Sequence, residues 1–473
     1  MEVKKRPDQE FVDLKKTFEK NRIMLGEDHE DTLASLDRLA EYYDRIGDYD
    51  EAIDLEEELL SRRTSLYGKD HDATISTYLR LANFYSHRRE FPMAIRLGKH
   101  AVKMRAQQYG EDDTRTLKAA GRLANLYADA GEIQEAIQLG KTVLRKRESV
   151  LGELDHASIV SRDNLGYYYS LDGNDVEAIR LGKEALRRFS EIRDDPHYIL
   201  GCADRLAGYY SGLKRYDDAI SVEKEVLSYV REMRGETHPD TITVLNNLAL
   251  AYGKAHDINR AVAYGLEAYE KCRNYYGEDH PETWRASRNL SQYYGRAEKY
   301  SVAVKLDRKN VKFASDYYGD LSSETISAEM DLANDLAGNR EYDEAIQVGE
   351  QVLSHLRESL GFTDPLTLNA VSNLAGYYEA AGNEEETLSL RTYVYEKRSF
   401  TLGDMDRDTL KSGTELVESF VKAGRIEEAL DLGNQILDPV RRSYGKVHPV
   451  TTTLIQNLKD ALSEYDRKEK EKN

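Results

Sequence analysis

The chain has 473 residues, and its 86 acidic against 67 basic side chains give a formal net charge of −19. This acidic balance argues against sequence-independent binding of nucleic acid, which depends on basic groups that neutralise phosphates. No apolar run approaches the roughly 18–20 residues of a membrane span, and the charged N-terminus lacks the apolar core of a signal peptide. Two cysteines in so long a chain cannot form a disulfide framework, so we expect a cytoplasmic protein without membrane contact.

The first predicted element is a single helix within residues 1–30. Its apolar residues Phe11, Leu14 and Phe18 recur at helical spacing and lie ahead of the first complete two-helix unit. We interpret this helix as an N-terminal cap.

The first two-helix unit follows this cap. Helix A is predicted over about residues 32–46, because its apolar residues from Leu36 to Tyr43 recur at spacings of 3, 4 and 7 and therefore share one face. Gly47 ends helix A. Helix B follows and ends at Gly68, which supplies a left-handed residue. In the next loop, KDHDAT, Asp and Thr are the predicted N-caps of the following helix.

This two-helix unit repeats along the chain. A small residue of helix B marks the frame at Ala52, Ala94, Ala136, Ala178, Ala219, Ala261, Ala303, Ala345, Thr387 and Ala429. Eight of the nine intervals are 42 residues and one is 41, which indicates a deletion near Arg193-Asp194. One unit cannot bury its own apolar face, but stacked units can. We therefore predict an all-α solenoid of about ten helix-turn-helix repeats over residues 31–449, forming a single domain. A capping helix and charged tail occupy residues 450–473, and we expect the chain to be complete.

One set of residues recurs in each unit and, in the first, consists of Leu39, Ala40, Tyr43, Gly47, Tyr49 and Ala52. This pattern resembles the tetratricopeptide repeat. The 42-residue period and the linkers GETHPDT and GEDHPET resemble those of the kinesin-light-chain subclass. The resemblance covers about residues 10–465. It implies a right-handed superhelix whose A helices line a concave groove that binds a protein or peptide.

The resemblance places two residues of each helix A in that groove: the residue before the Leu-Ala pair and the one that follows it. The candidate peptide-binding residues are Asn164, Asn247, Asn289, Asn373, Arg38, Arg80, Arg122, Arg205, Asn83, Asn125 and Asn334. An Asn amide both donates and accepts, which suits a peptide backbone; hydrogen bonding between helices is the alternative. The arginines favour acidic or C-terminal carboxylate groups. Their alternative is pairing with neighbouring carboxylates, namely Asp37, Glu41, Asp163 or Asp204.

Five tyrosine pairs account for much of the tyrosine content: Tyr42-Tyr43, Tyr168-Tyr169, Tyr209-Tyr210, Tyr293-Tyr294 and Tyr377-Tyr378. Periodicity predicts that the second tyrosine of each pair lies in the core. The first is predicted at a helix edge with its hydroxyl in water, or, alternatively, stacked on a ligand. Gly98, Gly140 and Gly182 each precede a lysine, but they lack the spacing of a phosphate-binding loop, so we expect them to permit close helix packing.

No residue constellation predicts catalysis. Six histidines occupy the loops between repeats: His29, His71, His156, His238, His280 and His448. Successive loops should lie roughly 10 Å apart, too far to share a metal ion, so we expect these histidines to form hydrogen bonds at helix starts. His87 and Cys202 lie in different units and cannot form a catalytic dyad. We therefore predict that the protein is not an enzyme and has no metal and no small-molecule cofactor.

Two functions remain. The first is a non-enzymatic adaptor that holds an extended or helical segment of a partner protein in the groove, with the asparagines binding its backbone. The alternative is a regulatory sensor, whose solenoid responds to a signalling peptide or controls a partner effector enzyme.

Overall fold

A computed structural model describes residues 9–193 and 195–472, and every regular element within these residues is an α-helix. The chain forms two compact units, Met1–Gly235 and Glu236–Asn473. The helices of the first unit are α1 (Gln9–Leu25), α2 (Glu30–Arg45), α3 (Tyr49–Tyr67), α4 (Asp72–His87), α5 (Phe91–Tyr109), α6 (Thr114–Asp129), α7 (Ile133–Leu151), α8 (His156–Leu171), α9 (Asp175–Glu191), α10 (Pro196–Gly212) and α11 (Tyr216–Arg234). Those of the second unit are α12 (Pro239–Lys254), α13 (Ile258–Tyr276), α14 (Pro281–Arg296), α15 (Tyr300–Tyr318), α16 (Ser323–Gly338), α17 (Tyr342–Ser359), α18 (Pro365–Ala380), α19 (Glu384–Leu402), α20 (Arg407–Lys422), α21 (Ile426–Tyr444) and α22 (Pro449–Lys472).

The order of these helices agrees with the sequence period and confirms the all-α prediction. Even-numbered helices from α2 to α20 correspond to helix A, and the odd-numbered helix after each corresponds to helix B. The helix-B alanines that mark the frame are buried, and Ala52, Ala178 and Ala303 are fully so. Each such alanine lacks bulk, which lets its helix approach its neighbours closely.

Within each compact unit the A helices contact one another as well as the B helices beside them. Direct contacts join α4 to α6, α6 to α8 and α8 to α10 in the first unit, and α14 to α16 and α16 to α18 in the second. These contacts join α4 to α10 in the first unit and α14 to α18 in the second into two strips of adjacent A helices. We call the surface of the A helices along which they meet the A-helix face.

The helix starts differ from the sequence prediction. The N-cap in the KDHDAT loop is His71, whose Nδ1 accepts a hydrogen bond from the Ala73 backbone N–H at 3.3 Å. The predicted Asp and Thr caps of this loop are therefore wrong. Four other loop histidines, His29, His238, His280 and His448, accept from the N–H two residues on in the same way. This confirms the helix-start role expected of them. His156 differs, because Asp155 is the N-cap there.

The threonine of the loop forms a hydrogen bond to the end of the preceding helix B instead of capping the next helix. Thr74 Oγ1 donates a hydrogen bond to the Gly68 carbonyl at 2.9 Å, and Thr283 Oγ1 donates to the Gly277 carbonyl at 2.7 Å. Gly68 has a φ of +86°, the left-handed conformation expected for the end of helix B. The loop therefore contacts both helices that it joins: the histidine caps the start of helix A, and the threonine hydrogen-bonds to the glycine at the end of the preceding helix B.

The predicted deletion changes one helix end. Helix α9 ends at Glu191 and is two residues shorter than most B helices; Arg193, with a φ of +50°, follows it. Asp194, the other residue at the predicted deletion, lies outside the described residues.

The first and last helices each pack against the repeat beside them. Phe18 of α1 packs against the buried Leu33, Leu36 and Leu59 of the first repeat. Leu454 and Leu458 of α22 are buried against the last repeat. Residues 1–8 and 473, which the sequence assigned to the caps, lie outside the described residues.

Candidate functional site

Polar side chains connect successive A helices along the A-helix face. Many of these contacts join residues that are 43 positions apart, one repeat plus one residue. They include Arg80 with Asp37, His87 with Asp44, Ser86 with Asp129, Tyr168 with Asn125, Arg288 with Asp331, Tyr377 with Asn334 and Lys422 with Glu379. The face therefore carries a series of contacts between successive A helices, which we call the ladder. A ligand site on this face would consist of the polar groups that make no such contact.

Two of the four candidate arginines belong to this ladder. Arg80 Nε lies 2.6 Å from Asp37 Oδ1 and 2.9 Å from Glu56 Oε1. Arg205 pairs with the buried carboxylate of Asp163. For Arg80 and Arg205 the structure supports the internal pairing that the sequence left open.

The other two arginines have different surroundings. Arg38 is exposed. Arg122 is half-buried and, among the described residues, has no carboxylate partner. Burial and the nearby guanidinium groups of Arg105 and Arg80 lower the pKa of Arg122. Arg105 is itself buried and donates only to neutral oxygens, those of Arg115 C=O and Ser76 Oγ. The positive charge of Arg122 and Arg105 is therefore not balanced by a carboxylate within the described part of the first unit.

The asparagines divide in a similar way. Asn125 Oδ1 accepts a hydrogen bond from the Tyr168 hydroxyl, and Asn334 Oδ1 accepts one from the Tyr377 hydroxyl at 2.7 Å. By contrast, the amides of Asn83, Asn164, Asn289 and Asn373 are half-buried and make no hydrogen bond to the described part of the chain. Asn247 is half-buried on α12. The structure thus leaves several candidate amides available on the A-helix face.

The burial of the tyrosine pairs is the reverse of the prediction. The first tyrosine of each pair is buried: Tyr42, Tyr168, Tyr209, Tyr293 and Tyr377. The second is half-buried in four of the five, Tyr210 being the exception. In four of the five pairs the first ring packs on a glycine of the preceding helix B, whereas Tyr42 lies against Phe11 of α1, with ring centroids 5.5 Å apart. Substituting Gly140, for example, would place a Cβ 2.9 Å from the ring of Tyr168.

This glycine position confirms the packing role predicted for Gly98, Gly140 and Gly182. A Cβ at Gly98 would lie 3.0 Å from Leu126 Cδ1, and one at Gly182 would lie 3.4 Å from Leu206 Cδ1. In four repeats the same helix-B position carries a charged residue instead: Glu56, Glu223, Asp307 and Arg391. Glu56, Glu223 and Asp307 are buried. The sequence analysis missed these charges, although an alignment of the repeats at this one position would have shown them.

The pKa values of Glu56, of Asp307 and of Asp335, which contacts Asp307, are raised. Burial raises the pKa of Glu56 to about 7, even though Arg80 lowers it. In the second unit, burial and the adjacent carboxyl group of Asp307 raise the pKa of Asp335 to about 8. Burial also raises the pKa of Asp307. Carboxyl groups that contact each other cannot both ionise cheaply, so this pair holds a proton near neutral pH.

An aromatic cavity of about 560 Å³ opens in the second unit, and sequence reasoning missed it also. Its lining includes Tyr269, Trp284, Phe313 and Tyr317. The Trp284 indole donates its Nε1–H to the Asn310 carbonyl at 3.0 Å, which fixes the ring in the wall. Its two lysines, Lys309 and Lys312, already pair with Glu278 and Asp316.

The two residues considered for catalysis lie on different A helices, His87 on α4 and Cys202 on α10. Cys202 is fully buried, and burial raises the pKa of its thiol to about 12. His87 Nδ1 lies 2.6 Å from Asp44 Oδ1 within the ladder. In the described part of the chain no group of three or more His, Cys, Asp or Glu side chains is arranged to hold a metal ion. Nor is any described helix both long and apolar enough to span a bilayer.

Comparison with known proteins agrees with these observations. Two family models, both described as tetratricopeptide repeat, match the sequence: one at residues 73–149, 115–191 and 200–274, the other at residues 32–73. Residues 32–191 and 200–274 therefore consist of tetratricopeptide repeats. No curated protein is significantly similar to it in sequence.

Several solved structures resemble this one. The apo form of RapI is 15% identical with a TM-score of 0.50, over 78% of this chain and 99% of RapI. A tetratricopeptide-repeat protein from Parabacteroides merdae is 15% identical with a TM-score of 0.44, over 64% of this chain and 98% of that one. BtubC (BKLC) from P. vanneervenii is 21% identical with a TM-score of 0.33, over 57% and 90%. At these identities the RapI likeness shows a shared fold.

Proposed function

We propose that the protein is a non-enzymatic scaffold that holds a segment of a partner protein along its A-helix face. Tetratricopeptide-repeat proteins generally mediate protein–protein interactions, and such scaffolds are typically not enzymes. The observation that carries the proposal is the set of half-buried amides at Asn164, Asn289 and Asn373, which have no partner in the described chain. None of these amides is fully shut off from solvent, so a bound backbone can replace water as their hydrogen-bond partner.

The first unit suggests what part of the partner it prefers. Arg122 lies near the guanidinium groups of Arg105 and Arg80 and has no carboxylate partner in the described chain. This arrangement favours an anionic group as the partner of Arg122. An acidic side chain or a C-terminal carboxylate would supply one. This is the role the sequence suggested for the arginines, now restricted to Arg38 and Arg122 because Arg80 and Arg205 are paired within the protein.

The test compares peptide affinities. Peptide ligands would be selected by display on the intact chain, and their dissociation constants measured for Asn289→Ala/Asn373→Ala. We expect a loss of about thirtyfold, since the variant removes two hydrogen bonds that contribute about 1 kcal/mol each. The matched control is Asn274→Ala on the exposed side of α13, which should bind as the unaltered protein does. Equal affinity of all three proteins would reject the site.

A further inference from the structure

The ion pairs of the loops change at the aromatic cavity of the second unit. In four other repeats a basic residue of helix B pairs with an acidic residue of the loop before helix A, at N–O distances between 2.7 and 3.0 Å: Arg62 with Glu27, Lys146 with Glu111, Arg188 with Glu153 and Lys271 with Glu236. In the repeat formed by α14 and α15, Phe313 occupies the position of this basic residue. The loop nevertheless keeps its two acids, Glu278 and Asp279.

Asp279 lacks the cation that its counterparts contact. Asp28 and Asp112, at the same loop position in other repeats, pair with the helix-B cation at 3.2 and 2.9 Å. The two lysines of the cavity are already paired with Glu278 and Asp316. Asp279 is exposed, and within the described chain no basic group lies at ion-pair distance from it, although one of the lysines acts on it at longer range. The lining of the cavity therefore has one carboxylate more than it has cations.

Aromatic rings form the wall beside this carboxylate. The ring centroid of Phe313 lies 6.0 Å from that of Trp284, at an interplanar angle of 24°, and 5.3 Å from that of Tyr317, at 12°. The faces of aromatic rings attract cations, and a planar guanidinium group can also stack on them. One guanidinium group of the protein, that of Arg288, lies 5.8 Å from the Trp284 ring and is held by Asp331 at 2.7 Å. The wall therefore suits a further planar cation.

Two buried polar side chains line the same cavity without a hydrogen-bond donor. Ser287 is only 5% exposed, and its hydroxyl makes no hydrogen bond to the described chain. Asn310 is 2% exposed; its Nδ2 donates to Asp307 at 3.4 Å, while its Oδ1 accepts no hydrogen bond from the described residues. Neither oxygen is shut off from solvent. Since buried polar groups normally have partners, both oxygens favour a ligand that brings N–H donors into the cavity.

We propose that this cavity binds an arginine side chain of a partner protein, whose guanidinium group takes the place of the helix-B cation found in other repeats. The group stacks on the aromatic wall and donates hydrogen bonds to Asp279 and to the oxygens of Ser287 and Asn310. The volume of about 560 Å³ leaves room for such a side chain. This inference goes beyond the proposed function, because none of the residues lining the cavity is a candidate asparagine or arginine of the A-helix face.

Fluorescence titration of the intact protein tests this, because Trp284 is the only tryptophan in the chain and lies in the wall of the cavity. The probes are acetylated, amidated pentapeptides of glycine whose central residue is arginine, citrulline or phenylalanine. Citrulline keeps the shape of arginine without its charge, and phenylalanine tests for an apolar occupant. We expect the arginine peptide to bind about tenfold more tightly than either of the others. Equal affinity for arginine and citrulline, tighter binding of phenylalanine, or no response to the arginine peptide overturns the proposal.

Phe313→Lys supplies the decisive variant, because it restores the residue that Lys146 and Lys271 provide at the same position of other repeats. The new ammonium group should pair with Asp279 and occupy the cavity, so the preference for arginine over citrulline should disappear while circular dichroism shows a retained fold. Asp279→Asn, at an exposed site, should also lose this preference, whereas Asp343→Asn on the exposed side of α17 should keep it. An unchanged preference in Phe313→Lys or in Asp279→Asn contradicts the proposal. Such a failure leaves the scaffold function standing, because Asn289→Ala/Asn373→Ala tests that function separately.

Discussion

Single residues decide which charges of the A-helix face are satisfied within the protein. Glu56 is fully buried, and the guanidinium group of Arg80 lies 2.9 Å from it. Its pKa of about 7 exceeds that of an unfolded glutamate, so the folded protein holds the proton more tightly than the unfolded chain. By linkage, the stabilisation from this proton is complete below the unfolded pKa and is lost as the pH rises through about 7.

Removing the cation should reveal this dependence. Arg80→Leu removes the cation that lowers the pKa of Glu56, so at pH 8 the buried acid must either stay charged without a partner or take up a proton from solvent. We expect a loss of about 3 kcal/mol in the free energy of unfolding. At pH 5 the protonated acid needs no counter-charge, so the loss should be smaller. Urea unfolding at the two pH values measures the difference. Arg145→Leu, on the exposed side of α7, is the control and should change stability little at either pH; an equal loss for Arg80→Leu at pH 5 and pH 8 would contradict the account.

At the scale of helices, stacking depends on the match between one helix-B position and the next helix A. Glycine at that position receives a leucine or tyrosine, as Gly98 receives Leu126 and Gly140 receives Tyr168. At Arg391 the opposing residue is Ser419, which accepts a hydrogen bond from Arg391 Nη1 at 2.7 Å. At this junction the large side chain lies on helix B and the small one on helix A.

This match predicts opposite effects for two glycine substitutions. Gly140→Ala forces a methyl group against the buried ring of Tyr168 and should destabilise the protein by about 1–3 kcal/mol. Gly208→Ala in α10 meets no atom within 4 Å, and its helix propensity should stabilise the protein by up to about 1 kcal/mol. The midpoint of urea unfolding measures both. Stabilisation by Gly140→Ala would show that the ring moves aside without cost.

For the whole molecule, the buried acids make stability depend on pH. The pKa values of Glu56 in the first unit, and of Asp307, Glu329 and Asp335 in the second, are all raised, mainly by burial. Each of these groups takes up a proton more readily in the folded protein than in the unfolded chain. Their stabilisation is therefore lost as the pH rises through the folded pKa values, and the growing negative charge adds to this loss.

We therefore expect the melting temperature to fall steadily between pH 5 and pH 9. Differential scanning calorimetry of the intact chain measures this slope. Glu56→Gln combined with Asp335→Asn should flatten it, because amides do not titrate. A melting temperature that rises over this range would show that these acids are ionised in the folded protein.

The repeating pattern alone determined the helices, their period and the glycines at which the B helices end. The small residues every 42 positions, the left-handed Gly68 and the apolar faces are local features that act within one helix or between adjacent helices, so the family and the all-α fold follow from the sequence. The packing of Gly140 and the helix-start role of most loop histidines were also predictable, because their partners lie in the same unit or the next.

Only the tertiary structure decided which groups remain available on the A-helix face. Arg80 and Arg122 occupy equivalent positions, yet one is paired and the other is not, because the outcome depends on Asp37 and Glu56 in the preceding repeat. Likewise, Tyr168 is buried since Gly140 leaves room for its ring, which reversed the prediction for the tyrosine pairs. These outcomes depend on side chains about one repeat apart whose contact is fixed by helix packing, and the sequence period gives no sign of it.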